Sequence, residues 1–384
     1  MSATLVMATA LGIGRFAYTP LLPEMVEAFG WTFAVAGDVA SANFVGYMAG
    51  ALLAPKVIAS QYVRFWFAFC LLGTAATTYI GAEVSSYLGW LVVRFASGVV
   101  SAFCLIVVTT KLIHVLQAEG RESLGNVHFA GVGMGIVLCM IAVFQPGDVE
   151  TQWARLGILS AVVAAMAWLL TANLPFAPQQ QSLPQDEKRG LSPHLWRLIV
   201  GYGLFGYGYV VAATFIVAMA QSMEVSGAVG VREFDARTAW LVVGLSLAPS
   251  VYVWQWLSNR YGLLGTLRAA YLVEAGGLVL AGISTGYISL LIACVLLGGT
   301  FGAITALGIS AAKAAAPQRV AFTVSVMTIA FALGQLLGPA ISGRLADWFG
   351  DFVWASLIAA CMLVIAALLV GRGDAKQVGK ETSA

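Results

Sequence analysis

The sequence predicts an all-α membrane protein with twelve transmembrane helices, arranged as two pseudo-symmetric six-helix bundles. Three observations lead there. Of 384 residues, 60% are hydrophobic and only 10% are charged, whereas a soluble domain carries about a quarter charged residues. Such a chain cannot cover a water-facing surface, so lipid must be its solvent. Apolar runs of about 20 residues, the length that crosses a bilayer, recur along the whole chain. A single polar, proline-bearing stretch, Pro175 and Pro178 followed by Asp186-Glu187-Lys188-Arg189, divides these runs into six and six. The 42 glycines agree, because helices in lipid associate through small residues that let their backbones approach.

The first six spans are predicted near Ala3–Ala28, Ala34–Ala59, Phe65–Ala82, Ser86–Leu112, Ser123–Phe144 and Gln152–Ala172. The last six are predicted near Trp196–Ala220, Thr238–Ser258, Leu263–Ile283, Ile288–Lys313, Val320–Ile341 and Phe352–Val370. This divides the chain into a bundle over 1–172, a cytoplasmic linker over 173–195, a second bundle over 196–371 and a cytoplasmic tail over 372–384. The first apolar stretch runs past Pro20 and Pro23, too far for a cleavable signal core.

Lysine and arginine set the orientation. With both termini cytoplasmic, fourteen of the twenty basic residues fall inside, from Lys56 and Arg64 to Lys376 and Lys380. Outside lie only Arg155, Arg232, Arg237 and Arg344; Arg15 and Arg94 are within spans. A missed helix would scramble this bias, so it also supports the count of twelve. Trp31, Trp90, Trp153, Trp240 and Trp348 lie near span ends and are expected to be interface anchors. All five cysteines fall in apolar segments without metal-ligand spacing and read as small buried hydrophobes. No metal site or cofactor is expected. The net charge of +2 gives no reason to expect nucleic acid as a partner. No phosphate-binding Gly-x-x-x-x-Gly-Lys loop is present, and the short loops leave no room for a catalytic domain, so the chain does not read as an enzyme.

Traces of duplication appear at corresponding spans. Gly12-Ile13-Gly14 in span one matches Gly206-Tyr207-Gly208 in span seven. Ser97-Gly98 in span four matches Gly298-Gly299 in span ten. Duplicated bundles with a solute site at their interface are a common plan among secondary transporters.

Further motifs narrow the reading. Span four carries Arg94-Phe95-Ala96-Ser97-Gly98. Span eleven carries Gly334-Gln335-Leu336-Leu337-Gly338-Pro339-Ala340-Ile341-Ser342-Gly343, and Ser258-Asn259-Arg260-Tyr261-Gly262 follows span eight. These resemble, in turn, the Arg-x-x-Gln-Gly, Gly-x-x-x-Gly-Pro-x-x-Gly-Gly and Asp-Arg-x-Gly patterns of the major facilitator superfamily. Ser97 and Asn259 depart from them. Span five offers only Gly131-Val132-Gly133-Met134-Gly135, which weighs against an antiporter. The opening Gly12-Ile13-Gly14-Arg15-Phe16-Ala17-Tyr18-Thr19-Pro20-Leu21-Leu22-Pro23 is similar to the bacterial YbfB/YjiJ-type group. The resemblance covers the whole chain. It implies the major facilitator fold, a bacterial inner membrane, a monomer, and proton-coupled movement of a small solute by alternating access.

Candidate site residues follow. Arg15 lies about 18 Å along span one at 1.5 Å per residue, near mid-membrane. A guanidinium there must face water, a partner or a solute. It reads either as an anchor for a carboxylate or phosphate or as a structural group, in an ion pair or hydrogen-bonded to helix carbonyls. Pro20 and Pro23 are expected to bend span one; with Arg260, Gly338 and Pro339 they form the candidate gating set. The resemblance implies that spans one and seven face each other, which makes Tyr18, Tyr207 and Tyr209 candidate solute contacts. Tyr202, Phe205 and Tyr209 share one helical face. Asn43 and Gln335 are uncharged polar groups in spans two and eleven, suited to solute contact or interhelix hydrogen bonding. Arg94 suits proton coupling or holding the bundle together. His128 suits a proton-linked role or a plain hydrogen bond. Glu274, the carboxylate nearest the middle of a span, suits a proton carrier; the resemblance makes span nine a supporting helix and so favours a structural role. Two in-span arginines against one acid point to an anionic or acid-bearing solute. Efflux of amphiphilic drugs along the aromatic wall is the alternative, and a non-transporting receptor a more distant one.

Overall fold

The computed structural model describes residues 2–118, 127–171, 191–225 and 235–370. Every regular element among them is helical. Span one is α1 (Ser2–Met7), a wider π-helical segment (Ala8–Ile13) and α2 (Tyr18–Phe29). Then come α3 (Phe33–Ile58), α4 (Val63–Ile80), α5 (Tyr87–Ala118), α6 (Ala130–Val143) and α7 (Val149–Leu170). The rest are α8 (Pro193–Val225), α9 (Thr238–Tyr261), α10 (Leu263–Ile283), α11 (Tyr287–Ala315), α12 (Val320–Phe349) and α13 (Val353–Leu369).

With the first three segments taken as one rod, twelve rods result. Nine are long and apolar enough to cross a membrane; α6 and α13 are apolar but shorter. The remaining rod, α3, is long enough, but Asp38, Asn43 and Lys56 lower its hydropathy. Its buried face packs on protein instead of lipid. The predicted boundaries hold within a few residues for most rods. Span eleven is the main difference: α12 continues beyond Ile341 to Phe349, because Arg344 and Asp347 find partners on α3 and need not end the helix. Span five is shorter than predicted, starting at Ala130 after a 3-10 turn at Val127–Phe129.

The duplication is visible in the packing. α3 packs on α5, α4 on α7, and the π segment on α6; the counterpart pairs are α9 on α11, α10 on α13, and α8 on α12. The matched glycines make equivalent contacts. Gly98 backs onto the Asn43 carbonyl and Gly298 onto the Val243 carbonyl. Gly12 meets Gly135, and Gly206 meets the Phe331 carbonyl. A Cβ at any of the four would collide with backbone, so only glycine permits these separations. The halves meet along three seams: α3 with α12, α6 with α9, and α2 with α8.

Two expectations are corrected. Trp90, Trp153 and Trp240 are buried, not interfacial. Trp31 and Phe29 pack against Trp90, which packs against Trp153, so this indole set fills helix contacts; Trp240 packs on Phe16. Of the five tryptophans only Trp348 is fully exposed. Cys361 is exposed on α13, while Cys70, Cys104, Cys139 and Cys294 are buried. A thiol on the outward apolar face of a rod is compatible with lipid contact.

Candidate functional site

Span one is discontinuous where it matters most. Its regular turns give way at Ala8–Ile13 and pass through residues 14–17 before α2 resumes. Proline explains the position: Pro20 has no N–H and its ring crowds the carbonyl of Phe16, one turn earlier. The bend predicted from the prolines therefore lies N-terminal to them, and Pro23 sits within α2.

The break frees backbone carbonyls, and α5 supplies donors for them. Arg94 donates from Nη1 to the Gly14 carbonyl (3.4 Å) and from Nη2 to the Arg15 carbonyl (3.2 Å). Ser97 donates its hydroxyl to Gly14 (3.1 Å). The Arg94 guanidinium also lies 4.8 Å from the centre of the Tyr18 ring. Arg94 thus staples the broken span to α5. Ser97, the departure from the Arg-x-x-Gln-Gly pattern, belongs to the same staple.

Arg15 projects from the break and is differently placed. Its guanidinium is 4.2 Å from the Tyr47 ring centre and 5.2 Å from that of Phe44, both on α3. Only 6% of the residue is exposed, and its Nε and Nη2 are buried without a hydrogen-bond partner among the described residues. Cation–π contact offsets part of the cost of burying this charge but leaves those donors unused.

Across the interface stands Tyr209 of α8, within electrostatic reach of Arg15, Tyr47 and Glu274. Gln335 of α12 donates its side-chain amide to the Tyr209 hydroxyl, while its own Oε1 is buried without a donor. The Tyr209 ring stacks on Phe331 (5.5 Å, 6° between planes) and on Phe301 (5.4 Å, 19°). Tyr202 and Phe205 extend the stack on Phe331, so the predicted face of α8 is an aromatic wall.

Beside this wall is a cavity lined by Tyr209, Trp240, Phe301, Glu274 and the small Ala212 and Ala213. Its volume is about 10 Å³, room for roughly one water. Span nine was expected to be a supporting helix, but α10 turns Glu274 into this lining. The Thr300 hydroxyl lies beside the carboxyl but donates to the Leu296 and Leu297 carbonyls, which leaves both Glu274 oxygens without a donor.

Other candidates separate from this cluster. Tyr207 is two residues from Tyr209, roughly 200° around the helix; it packs on Gly334 and Gly338 of α12 instead of reaching the cavity. The Tyr18 hydroxyl donates to the Ala36 carbonyl (2.8 Å), so its polar tip is already used. Asn43 donates to the Arg94 carbonyl (3.1 Å) and keeps a buried, unpaired Oδ1. His128 shares a 3.0 Å hydrogen bond with Thr109 and lies tilted against the Phe129 ring, near the end of the bundle that carries residues 2 and 370. Arg260 is exposed at that same end, over the Trp256 and Tyr261 rings. Gly338 fits under Val210 of α8 within its own half, while the Pro339 carbonyl fills the space that a side chain on Gly37 would need, a close contact on the α3–α12 seam.

The opposite end of the bundle carries a polar network that the sequence did not suggest. Arg344 of α12 makes a two-pronged ion pair with Asp38 of α3 (2.8 and 2.9 Å). Asp347 accepts the backbone N–H groups of Phe33 and Ala34 (2.9 and 2.8 Å), capping α3 from the other half. Arg237 reaches Glu24 (3.3 Å), the Val143 carbonyl (2.9 Å) and Asp235. Burial would raise the Asp235 carboxyl, but hydrogen bonds and charge from Arg237 outweigh it and hold the group below its ordinary range. Thr19 donates to the Ala213 carbonyl and Ser41 to that of Leu336, both across the halves. Local sequence gave no signal here, since acids and arginines near span ends read as solvated loop residues. Only the closeness of distant helices pairs them.

Comparison with known proteins agrees with this architecture. The family model described as the uncharacterised MFS-type transporter YbfB matches residues 7–371. An uncharacterised MFS-type transporter of Yersinia enterocolitica is 24% identical over 360 residues, covering 88% of this chain and 86% of its own. One of Yersinia pestis is 24% identical over 353 residues, covering 89% and 87%. Among solved structures, the nucleoside transporter NupG superposes with a TM-score of 0.69 at 15% identity, covering 96% of this chain and 97% of its own. A bacterial homologue of the human lysosomal transporter Spinster, inward-facing and unoccupied, gives 0.66 at 15% identity, covering 96% and 95%. The chain is an integral membrane protein that belongs to the YbfB-type family of major facilitator transporters.

Proposed function

We propose that this transporter moves a small acid-bearing organic solute by alternating access, coupled to protons, with Arg15 as the solute anchor and Glu274 as the proton-carrying group. The observation that carries the reading is the pair of unused, buried donors on Arg15, with Tyr209 of the other half within its electrostatic reach. A buried guanidinium without partners is costly, and a planar fork suits a carboxylate. In a water-poor site one cation tolerates one anionic partner. Arrival of an acid at Arg15 therefore favours a proton on Glu274, since both flank Tyr209. Tyr209 and Gln335 contribute to the site; Asn43, Tyr207 and Tyr18 support it through packing and hydrogen bonds.

The halves are taken as 1–172 and 196–371, joined by a linker over 173–195, with a tail over 372–384; most of the linker and all of the tail lie outside the described residues. The basic excess puts both termini in the cytoplasm of a bacterium, its inner membrane holding the protein as a monomer. The closed polar network then lies outside, as in an inward-facing state. Pro20, Pro23, Gly338 and Pro339 shape the helices that gate it. Arg94 serves as the staple, and His128 stands apart from the coupling path.

Efflux of amphiphilic drugs could use the same aromatic wall. The unused donors of Arg15 favour the acid reading over it, because an amphiphilic cation or neutral drug would leave that buried guanidinium without a partner. The test is uptake of small acids into proteoliposomes under an inward proton gradient. Arg15→Lys keeps the charge and loses the fork, and is expected to cut uptake at least about tenfold. Uptake that survives this change for every solute rules out the anchor. Glu274→Gln is expected to abolish gradient-driven accumulation while leaving solute exchange; accumulation that persists places coupling elsewhere.

A further inference from the structure

We infer that the solute carries two negative charges close together, as a phosphate monoester or a short dicarboxylate does, with one charge clasped by Arg15 and the second balanced by Arg94. The inference rests on the proposed reading of Arg15 as the solute anchor and names the charge class of what it holds.

Two guanidinium groups are buried together beside the break in span one. Arg15 is 6% exposed and Arg94 4%. Arg94 bonds the backbone carbonyl of Arg15 itself at 3.2 Å, and the charge of Arg15 acts on that of Arg94. Like charges this near repel, and the repulsion grows where water is excluded. Neither arginine makes an ion pair among the described residues. The ion pairs there run from Arg237 and Arg344, at the closed end. The one buried carboxylate among the described residues is Glu274, which lies in the other half on α10.

The groups that surround the two cations cover them without neutralising them. Tyr47 and Phe44 turn their rings to Arg15, and Tyr18 turns its ring to Arg94. The Gly14 and Arg15 carbonyls accept from Arg94. Rings and carbonyls carry no net charge, so both positive charges remain. Hydrogen-bond donors remain as well: Nε and Nη2 of Arg15 and Nε of Arg94 are buried without an acceptor among the described residues. Buried charge is sustained when it is both paired and hydrogen-bonded.

The charge count selects the ligand. An acid with one charge on Arg15 leaves Arg94 unmatched, and Glu274 must then stay ionised to make up the difference. A dianion matches both cations. It leaves Glu274 free to take the proton that the proposed coupling gives it.

The experiment is a melting-temperature titration of the purified full chain in detergent, since binding to the native state raises the melting temperature. Two matched pairs are used at constant ionic strength: succinate against succinamate, and methyl phosphate against dimethyl phosphate. The pH is held at about 8, where a phosphate monoester carries nearly its full second charge. The doubly charged member of at least one pair is expected to bind at least about tenfold more tightly than its singly charged partner. Which pair shows the preference tells phosphate from dicarboxylate. Arg94→Gln keeps an amide donor for the carbonyls but removes the charge, and is expected to erase the preference; Arg94→Lys is expected to restore it. Equal affinity within both pairs, or tighter binding of the singly charged members, overturns the two-charge inference and leaves the anion anchor standing. A preference that persists in Arg94→Gln, or one that Arg94→Lys lacks, removes Arg94 from the inference and overturns it. Stabilisation by none of the four, or a response that persists unchanged in Arg15→Lys, overturns both the inference and the proposed function beneath it.

Discussion

Asp347 offers the sharpest test of how the closed end is held. It belongs to α12 in the second half, yet its two oxygens accept the first backbone N–H groups of α3 in the first half. A side chain that caps a helix start contributes about 0.5–2 kcal/mol. Asp347 is exposed, and solvent screens such contacts, so about 1 kcal/mol is the appropriate figure for Asp347→Ala. This contact exists only while the end is closed, so its loss shifts the closed-to-open ratio by a factor of about five. The assay is labelling of Ser41→Cys, in a Cys361→Ser background, by a membrane-impermeant maleimide. Ser41 is buried on the α3–α12 seam and bonds the Leu336 carbonyl, so it becomes reactive only when the seam opens. Labelling should rise about fivefold in Asp347→Ala. A control is Asp351→Ala, which removes a cap on α13 within one half and should leave labelling unchanged. No rise with Asp347→Ala, or an equal rise with Asp351→Ala, would refute the idea that this cross-half cap holds the end shut.

Two further outcomes are expected. Arg94→Ala strands the Gly14 and Arg15 carbonyls at the break in span one. It should cost about 2 kcal/mol or more, read as a lower melting temperature in detergent, and an unchanged melt would sink the staple. Asp148 caps α7: the Thr151 hydroxyl and backbone N–H hold its carboxyl below the ordinary range. A depressed carboxyl contributes stability that is present above its unfolded value and is lost as pH falls through its folded value. Asp148→Asn should therefore flatten the acid limb of stability against pH, and an identical acid limb in both proteins would contradict this.

Much of the fold was legible because lipid imposes strong rules. Apolar length gave the spans, and basic residues gave a consistent direction. The glycine pairs were readable as a repeat because only glycine tolerates those backbone approaches. The site was less legible. Arg15, Tyr209 and Gln335 could be picked out as polar or amphipathic groups in apolar runs; Gln335 bonds Tyr209, and Arg15 lies within electrostatic reach of it. Tyr209 shares a face with Tyr202 and Phe205 and Tyr207 does not, but nothing in the local sequence said which of the two faces turns toward the other half. Glu274 was read from its helix's expected place and not from its own rotation on that helix. The closed-end network escaped altogether, since Asp38 and Arg344 are some three hundred residues apart in sequence and each looks ordinary alone.

The break in span one has a mechanical side. α1 and the π segment are packed against α5, α6 and α7 of their own half, whereas α2 bonds both halves, its own through Tyr18 and Glu24 and the other through Thr19 and Glu24. One rod is thus fastened to two bodies, and the turn at residues 14–17 is the joint between them. Arg15 rides on that joint. When the bodies rock, the joint must flex, and the guanidinium turns with it. On the proposed reading of Arg15 as the anchor, a solute it clasps loads the pivot itself, so filling the site and swinging the bodies become one movement with no separate linkage between them.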